Sequence, residues 1–182
     1  MRPKDKSFMP GSPMASPHQA VALAEDPTVD NPLDQVIFLL GRAYYAYIGR
    51  LESVLAETGL DEQVRPGMGH ILFALFEQDG RSIKEIASRT QLSCSTLTDM
   101  LARMERGGLI ERSRDDEDGR VVRVRLTPLG RSLEPRCRLV VQKLGDLLQA
   151  GMGAAGVVRA KRSLQGLIET MRVEGQARRR SR

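Results

Sequence analysis

The 182-residue chain is 41% hydrophobic and 28% charged, and its 28 Lys and Arg outweigh 23 Asp and Glu to give a formal charge of +5. These proportions fit one ordinary folded domain with tails. Two Cys and two His exclude a disulfide framework and a Cys/His zinc cluster, and no apolar run approaches the ~20 residues of a membrane span.

Arg2, Lys4 and Lys6 resemble the start of a secretory signal, but Pro10, Gly11, Pro13 and Pro17 interrupt any apolar segment behind them. The expectation is a cytoplasmic protein with reduced thiols. Residues 1–30 hold five of the nine prolines and no apolar period, which predicts a flexible N-terminal extension.

Asn31-Pro32-Leu33-Asp34 reads as a helix start: a capping Asn, a Pro at the first helical position and an acid at the positive end of the dipole. Leu33, Val36, Ile37, Leu40, Tyr44, Ile48, Leu51 and Leu55 follow at helical spacing and predict one long helix ending near Gly59. A second helix begins around Pro66 and runs through Ile71, Leu72, Leu75 and Phe76 to Asp79-Gly80. Ser82-Ile83-Lys84-Glu85 has the form of a capping box and opens a short helix with Ile83, Ile86 and Ala87 on its apolar face. Gln91-Leu92-Ser93 breaks it. Ser93 then caps a following helix that ends at Gly107-Gly108, and two short helices joined by a tight turn make a helix-turn-helix.

Leu109 to Arg114 and Val121 to Leu126 flank an acidic turn from Asp115 to Gly119. Val122, Val124 and Leu126 alternate with Arg123 and Arg125, so the pair is expected to form a hairpin. Thr127-Pro128 starts another long helix with Leu139, Val140, Leu144, Leu147 and Leu148, interrupted by Gly151, Gly153 and Gly156. A last helix uses Val157, Val158, Leu164, Leu167, Ile168 and Met171. Arg178, Arg179, Arg180 and Arg182 leave residues 175–182 as a basic C-terminal tail. The expected fold is mostly α, a winged helix-turn-helix with a two-stranded β wing.

The charge is unevenly placed. Residues 32–80 carry 3 basic and 7 acidic side chains, whereas residues 81–138 carry 13 and 9. On composition alone a solvated face explains that excess as well as a ligand does. At 100° per residue, Leu97, Met100, Leu101 and Met104 share one face of the second short helix, with Ser93 and Cys94 near it. Ser95, Asp99, Ala102 and Arg106 lie opposite, flanked by Thr96, Thr98 and Arg103. Small hydroxyls followed by Arg suit a helix entering a DNA major groove. The alternative is a plain solvated face. The hairpin adds Arg112, Arg114, Arg123 and Arg125, with Arg120 just past the turn. A basic hairpin directly after a helix-turn-helix favours DNA, because an Arg in a narrow minor groove meets an enhanced negative potential.

The segments Leu92-Ser93-Cys94-Ser95-Thr96-Leu97-Thr98, Leu101 to Arg112, Asp118-Gly119-Arg120 and Val124-Arg125-Leu126-Thr127-Pro128-Leu129-Gly130 resemble the multiple-antibiotic-resistance regulator (MarR) family of winged-helix transcription factors. The helix order extends that resemblance over roughly residues 32–174. It implies a homodimer on a palindromic double-stranded operator, with residues 31–66 and 127–174 as a helical dimerisation region and 67–126 as the DNA-binding lobe. It implies recognition contacts at Ser95, Thr96, Thr98 and Arg103, a wing-stabilising carboxylate at Asp118 and a minor-groove arginine at Arg120. It also implies a small phenolic or other anionic effector bound in a crevice between the dimer helices and the lobe. The protein is then expected to be a sequence-specific regulator and a repressor. Its alternative is a winged-helix interaction module that has lost specific DNA binding.

Asp99 departs from the basic residue many relatives carry. It can accept from cytosine N4 or pair with Arg103 four residues on, and the internal pair is the expectation. Cys94 at a helix N-terminus invites a lowered thiol pKa, but its helical angle predicts a small inert Cys beside the apolar face. Tyr44, Tyr45, Tyr47, His70 and Phe73 lie on the first two helices and are candidates to line an effector crevice, Tyr44, His70 and Phe73 foremost; core or dimer packing is the alternative role. No catalytic apparatus is legible: His18 lies in the extension, His70 has no recognisable partner, and Gly151, Gly153 and Gly156 follow a helix rather than a strand. No metal or cofactor is expected.

Overall fold

The computed structural model describes residues 35–180, with side chains over 35–171. The Asn31 cap, the extension at 1–30 and the C-terminal arginine side chains lie outside the described residues. Backbone contacts divide the chain between Leu39 and Leu40. The described part of the first unit is the opening turn of a helix, where the Phe38 and Leu39 amides donate to the Gln35 carbonyl at 3.0 and 3.1 Å.

That helix, α1 (Val36–Glu57), buries Leu51, Val54 and Leu55 in its C-terminal half. It ends where the Thr58 hydroxyl donates back to the Val54 carbonyl at 2.8 Å. Leu60 and Val64 carry the core through the connecting loop. Gly67 (φ +93) then starts α2 (Met68–Glu77); a Cβ there would stand 2.4 Å from Met100 Cε. This close approach seats α2 against the helix that bears Met100.

The capping box forms as expected: Ser82 Oγ accepts from the Glu85 amide at 3.2 Å, and the Glu85 carboxylate accepts from the Ser82 amide at 2.7 Å. It opens α3 (Ile83–Thr90), preceded by a two-residue strand β1 (Arg81–Ser82). Gln91 turns the chain in a left-handed conformation (φ 60) into α4 (Cys94–Arg106), which Ser93 caps. The hairpin is β2 (Ile110–Arg114) against β3 (Val122–Leu126), antiparallel, with Ile110 opposite Leu126 and Arg114 opposite Val122. β1 adds a third strand on the far side of β3, with Arg81 opposite Val124, so the sheet order is β1-β3-β2. The wing is thereby tied to the start of the helix-turn-helix.

The helix expected from Thr127-Pro128 onward divides at Leu133 into α5 (Pro128–Ser132) and α6 (Glu134–Arg180). Gly153 (φ 65, ψ 168) kinks α6 within the glycine cluster where an interruption is expected. α6 continues through residues 175–180, the stretch read from sequence as a tail.

One apolar cluster joins these elements: Leu55, Leu72, Ile86, Leu97, Leu101, Met104, Leu109, Val124, Leu133 and Val140 are among its members. Each fully enclosed side chain of this size contributes about 1.5–3 kcal/mol relative to exposure. Past Val140 and Leu144, α6 leaves the cluster, and Leu147, Leu148, Met152, Val158, Leu164 and Ile168 are exposed. Among the described residues no helix is long and apolar enough to cross a membrane.

Candidate nucleic-acid interface and adjoining cavity

α4 buries Leu97, Leu101 and Met104 and leaves Ser95, Thr96, Thr98, Asp99, Arg103 and Arg106 exposed, the division its sequence period dictates. Its first turn is a hydroxyl cluster. Ser93 Oγ accepts from the Thr96 amide at 3.2 Å and shares hydrogen bonds with the hydroxyls of Thr96 (2.7 Å) and Ser95 (3.0 Å). Thr98 donates its hydroxyl proton to the Cys94 carbonyl at 2.8 Å, so its lone pairs remain for an incoming donor. Arg106 Nε turns back onto the Ala102 carbonyl at 3.3 Å.

Two expectations about this helix change. Asp99 and Arg103 enter no ion pair among the described residues. Both stand in solvent, where an i,i+4 pair offers only a few tenths of a kcal/mol against side-chain entropy. Cys94, the first residue of α4, is exposed rather than tucked beside the apolar face.

The wing turn is organised by Asp115. Its Oδ1 accepts from the Glu117 and Asp118 amides, both at 3.0 Å, and its Oδ2 pairs with Arg123 Nε at 2.5 Å. The Asp118 amide, the Arg123 guanidinium and the Glu117 amide, in that order, lower its pKa to about 2. Arg123 also reaches the capping-box Glu85 at 3.3 Å, so one arginine ties the wing to α3. Asp118 makes a smaller contribution: its carboxylate accepts from the Arg120 amide at 3.0 Å, which fixes the backbone from which the exposed Arg120 projects. Arg112 is ion-paired to Glu105 of α4. That contact raises the Arg112 pKa and lowers that of Glu105.

Behind the helix-turn-helix lies a cavity of about 420 Å³ between the C-terminal half of α1, α2, the end of α3 and the start of α6. Its walls are apolar, from Leu51 and Leu55 through Ala74 to Val140 and Leu144. Its polar groups are Tyr47, Arg65, His70, Glu77, Arg89 and Thr90. His70 and Phe73 line it as expected, whereas Tyr44 does not; Tyr47, one turn nearer the core, takes that place. Partial burial, with Tyr44 nearby, pushes the Tyr47 hydroxyl up. Burial likewise pushes up the Cys137 thiol on the α6 wall. Arg89 holds Glu77 through two bonds of 2.8 Å, and Arg89 foremost keeps the Glu77 carboxyl below its ordinary range. Among the described residues no group of three or more His, Cys, Asp and Glu is placed to hold a metal ion.

Comparison with known proteins places this geometry. The profile of the MarR family matches residues 66–122, which span α2 through the first residue of β3. The HTH-type transcriptional repressor IacR of Pseudomonas putida is 30% identical over 159 residues, covering 86% of this chain and 93% of that protein. The chain belongs to the MarR family. It is a DNA-binding transcriptional regulator, in a family of regulators rather than enzymes. Two solved structures share the fold. One concerns regulation of DNA binding of Bordetella bronchiseptica BpsR by 6-hydroxynicotinic acid, with TM-score 0.67, 24% identity, and coverage of 75% of this chain and 95% of that one. The other is a complex of S. aureus MepR with DNA, with TM-score 0.64, 20% identity, and coverage of 75% and 98%. They share the winged-helix fold, in which α3 and α4 form the helix-turn-helix and β2–β3 the wing.

Proposed function

We propose that this MarR-family protein is a cytoplasmic homodimeric repressor that releases or retains a palindromic operator according to a small aromatic or anionic effector. The observation that carries the DNA reading is the exposed first half of α4, a hydroxyl-rich face of Ser95, Thr96 and Thr98 with Arg103 beyond it. Ser and Thr meet base edges or phosphates, Arg103 and Arg106 meet guanine or phosphate, and Arg120 enters the minor groove beside them. Arg112 joins the backbone contacts when it exchanges Glu105 for a phosphate. Asp118 positions Arg120 rather than touching DNA.

Dimerisation through residues 31–66 and 127–174 is supported by exposed Tyr45, Leu147, Leu148, Val158, Leu164 and Ile168 on α1 and α6, large apolar side chains that a second copy would take out of water. Repression is the activity named for the Pseudomonas putida relative. An effector response follows from the cavity, whose apolar walls suit an aromatic ring and whose arginines suit an anion. BpsR, of the same fold, responds to a hydroxylated aromatic acid. A ligand there acts only if it favours one spacing of the two lobes over the other.

The test is a salt titration of binding to an operator fragment, for wild type and Arg120→Ala. Affinity should fall steeply with salt, and the variant should bind several-fold more weakly. Affinity indifferent to salt, with Arg120→Ala unchanged, would refute the proposal.

A further inference from the structure

We propose that Arg89 is the residue of this cavity that recognises the effector's carboxylate, by exchanging it for Glu77. The proposal rests on the effector reading above and names the residue that would carry it. Arg89 already holds a carboxylate in the planar, two-bonded geometry that a guanidinium prefers: Nε to Oε2 and Nη2 to Oε1, both at 2.8 Å. Arg89 and Glu77 both line the cavity, so the fork lies where a ligand's acid group would arrive. The pair is also displaceable. Its two side chains are 58% and 48% exposed, and ion pairs so open to water are held weakly.

Exchange does not strand Glu77, because Arg81 Nη2 stands 3.2 Å from Glu77 Oε2 and is itself anchored by Nε on the Ala74 carbonyl at 2.9 Å. The released carboxylate moves onto Arg81. Arg65, the other cavity arginine, has no acidic partner among the described residues; it adds positive charge but offers no prebuilt fork. The consequence reaches DNA by a short route. Arg89 is in the last turn of α3, two residues before Gln91, whose left-handed backbone begins the turn into α4. The Glu77–Arg89 bonds fasten that turn to α2, and a ligand that takes Arg89 replaces the fastening with itself.

The experiment is calorimetric titration of the full-length dimer with 4-hydroxybenzoate and its uncharged isostere 4-hydroxybenzamide. Wild type should prefer the acid by about threefold or more, the surplus of a contact inside the cavity over the exposed Glu77 pair it replaces. Arg89→Met should abolish that preference while keeping amide binding within about twofold. Glu77→Gln should tighten acid binding alone. Arg65→Met should reduce the preference less than Arg89→Met does. Gly69→Phe fills the cavity from α2, where a Cβ meets nothing within 4 Å, and should remove both ligands. If Arg89→Met fails to fold, Arg89→Lys should keep the charge but lose most of the preference with the fork. An acid preference that survives at Arg89, or that follows Arg65 instead, overturns the proposal and leaves the effector cavity standing. Binding of neither probe, or binding indifferent to Gly69→Phe, overturns both.

Discussion

Gly130 sits in α5 where the chain leaves the wing, and replacing it with alanine places an atom inside the β2 entrance. The new Cβ would stand 2.0 Å from the Leu109 carbonyl oxygen, 3.0 Å from its carbon and 3.3 Å from Leu126 Cδ2. Ordinary contact needs about 3.4 Å, so α5 and the Leu109 backbone must part by roughly 1.4 Å. That carbonyl accepts the Thr127 amide at 3.1 Å, and the Thr127 hydroxyl donates to the Gly108 carbonyl at 2.6 Å; parting strains both. Overpacking costs about 1–3 kcal/mol and each of the two weakened hydrogen bonds about 1 kcal/mol, giving about 3–5 kcal/mol for Gly130→Ala. Gly145→Ala is the control: nothing lies within 4 Å of its Cβ, and the helix should gain about 0.5–1 kcal/mol. Equilibrium urea denaturation followed by circular dichroism, at one protein concentration because association adds to stability, reads both. Gly130→Ala within about 0.5 kcal/mol of wild type would refute the steric reasoning.

Further expectations follow from other residues. Leu101 is fully buried in the cluster, so Leu101→Ala should cost about 2–5 kcal/mol in the same denaturation assay. The Asp115 carboxyl is lowered from 3.8 to about 2; a depressed folded pKa stabilises above the unfolded value and is lost as pH falls through the folded one. Wing order should therefore persist down to pH 4 and decline towards pH 2, read by hydrogen exchange of the Glu117 and Asp118 amides. Asp115→Asn should remove that pH dependence. Glu105→Gln releases Arg112 from its partner, and should tighten operator binding while steepening its salt dependence by about one counterion. An unchanged slope would show that Arg112 does not reach phosphate.

Much of this was legible in one dimension because it depends on local rules. The Ser82–Glu85 box, the Ser93 cap, the α4 apolar face and the β2–β3 alternation each follow from spacing within one element. What escaped depends on the third dimension. β1 has two residues and no period; it exists because Arg81 and Ser82 lie alongside Val124 and Arg123. Asp115 is one of four consecutive acids, and only the closed turn shows that it, rather than Asp118, receives two amides and an arginine. Tyr44 and Tyr47 share a helix face within about 60°, but the cavity ends one turn short of Tyr44. Arg89 and Glu77 are twelve residues apart on different helices, and nothing in the local sequence announces their pairing.

The central claim is that the exposed face of α4 reads DNA sequence on a two-fold symmetric site. Selection of bound fragments from a random duplex pool, run in parallel with wild type and Arg103→Ala, tests it most directly. Wild type should enrich a palindrome with half-sites about one helical turn apart, and Arg103→Ala should relax the preference at one position in each half-site. Enrichment of no motif, or of an asymmetric one that Arg103→Ala leaves untouched, would contradict the account and favour a winged helix that binds partners other than DNA.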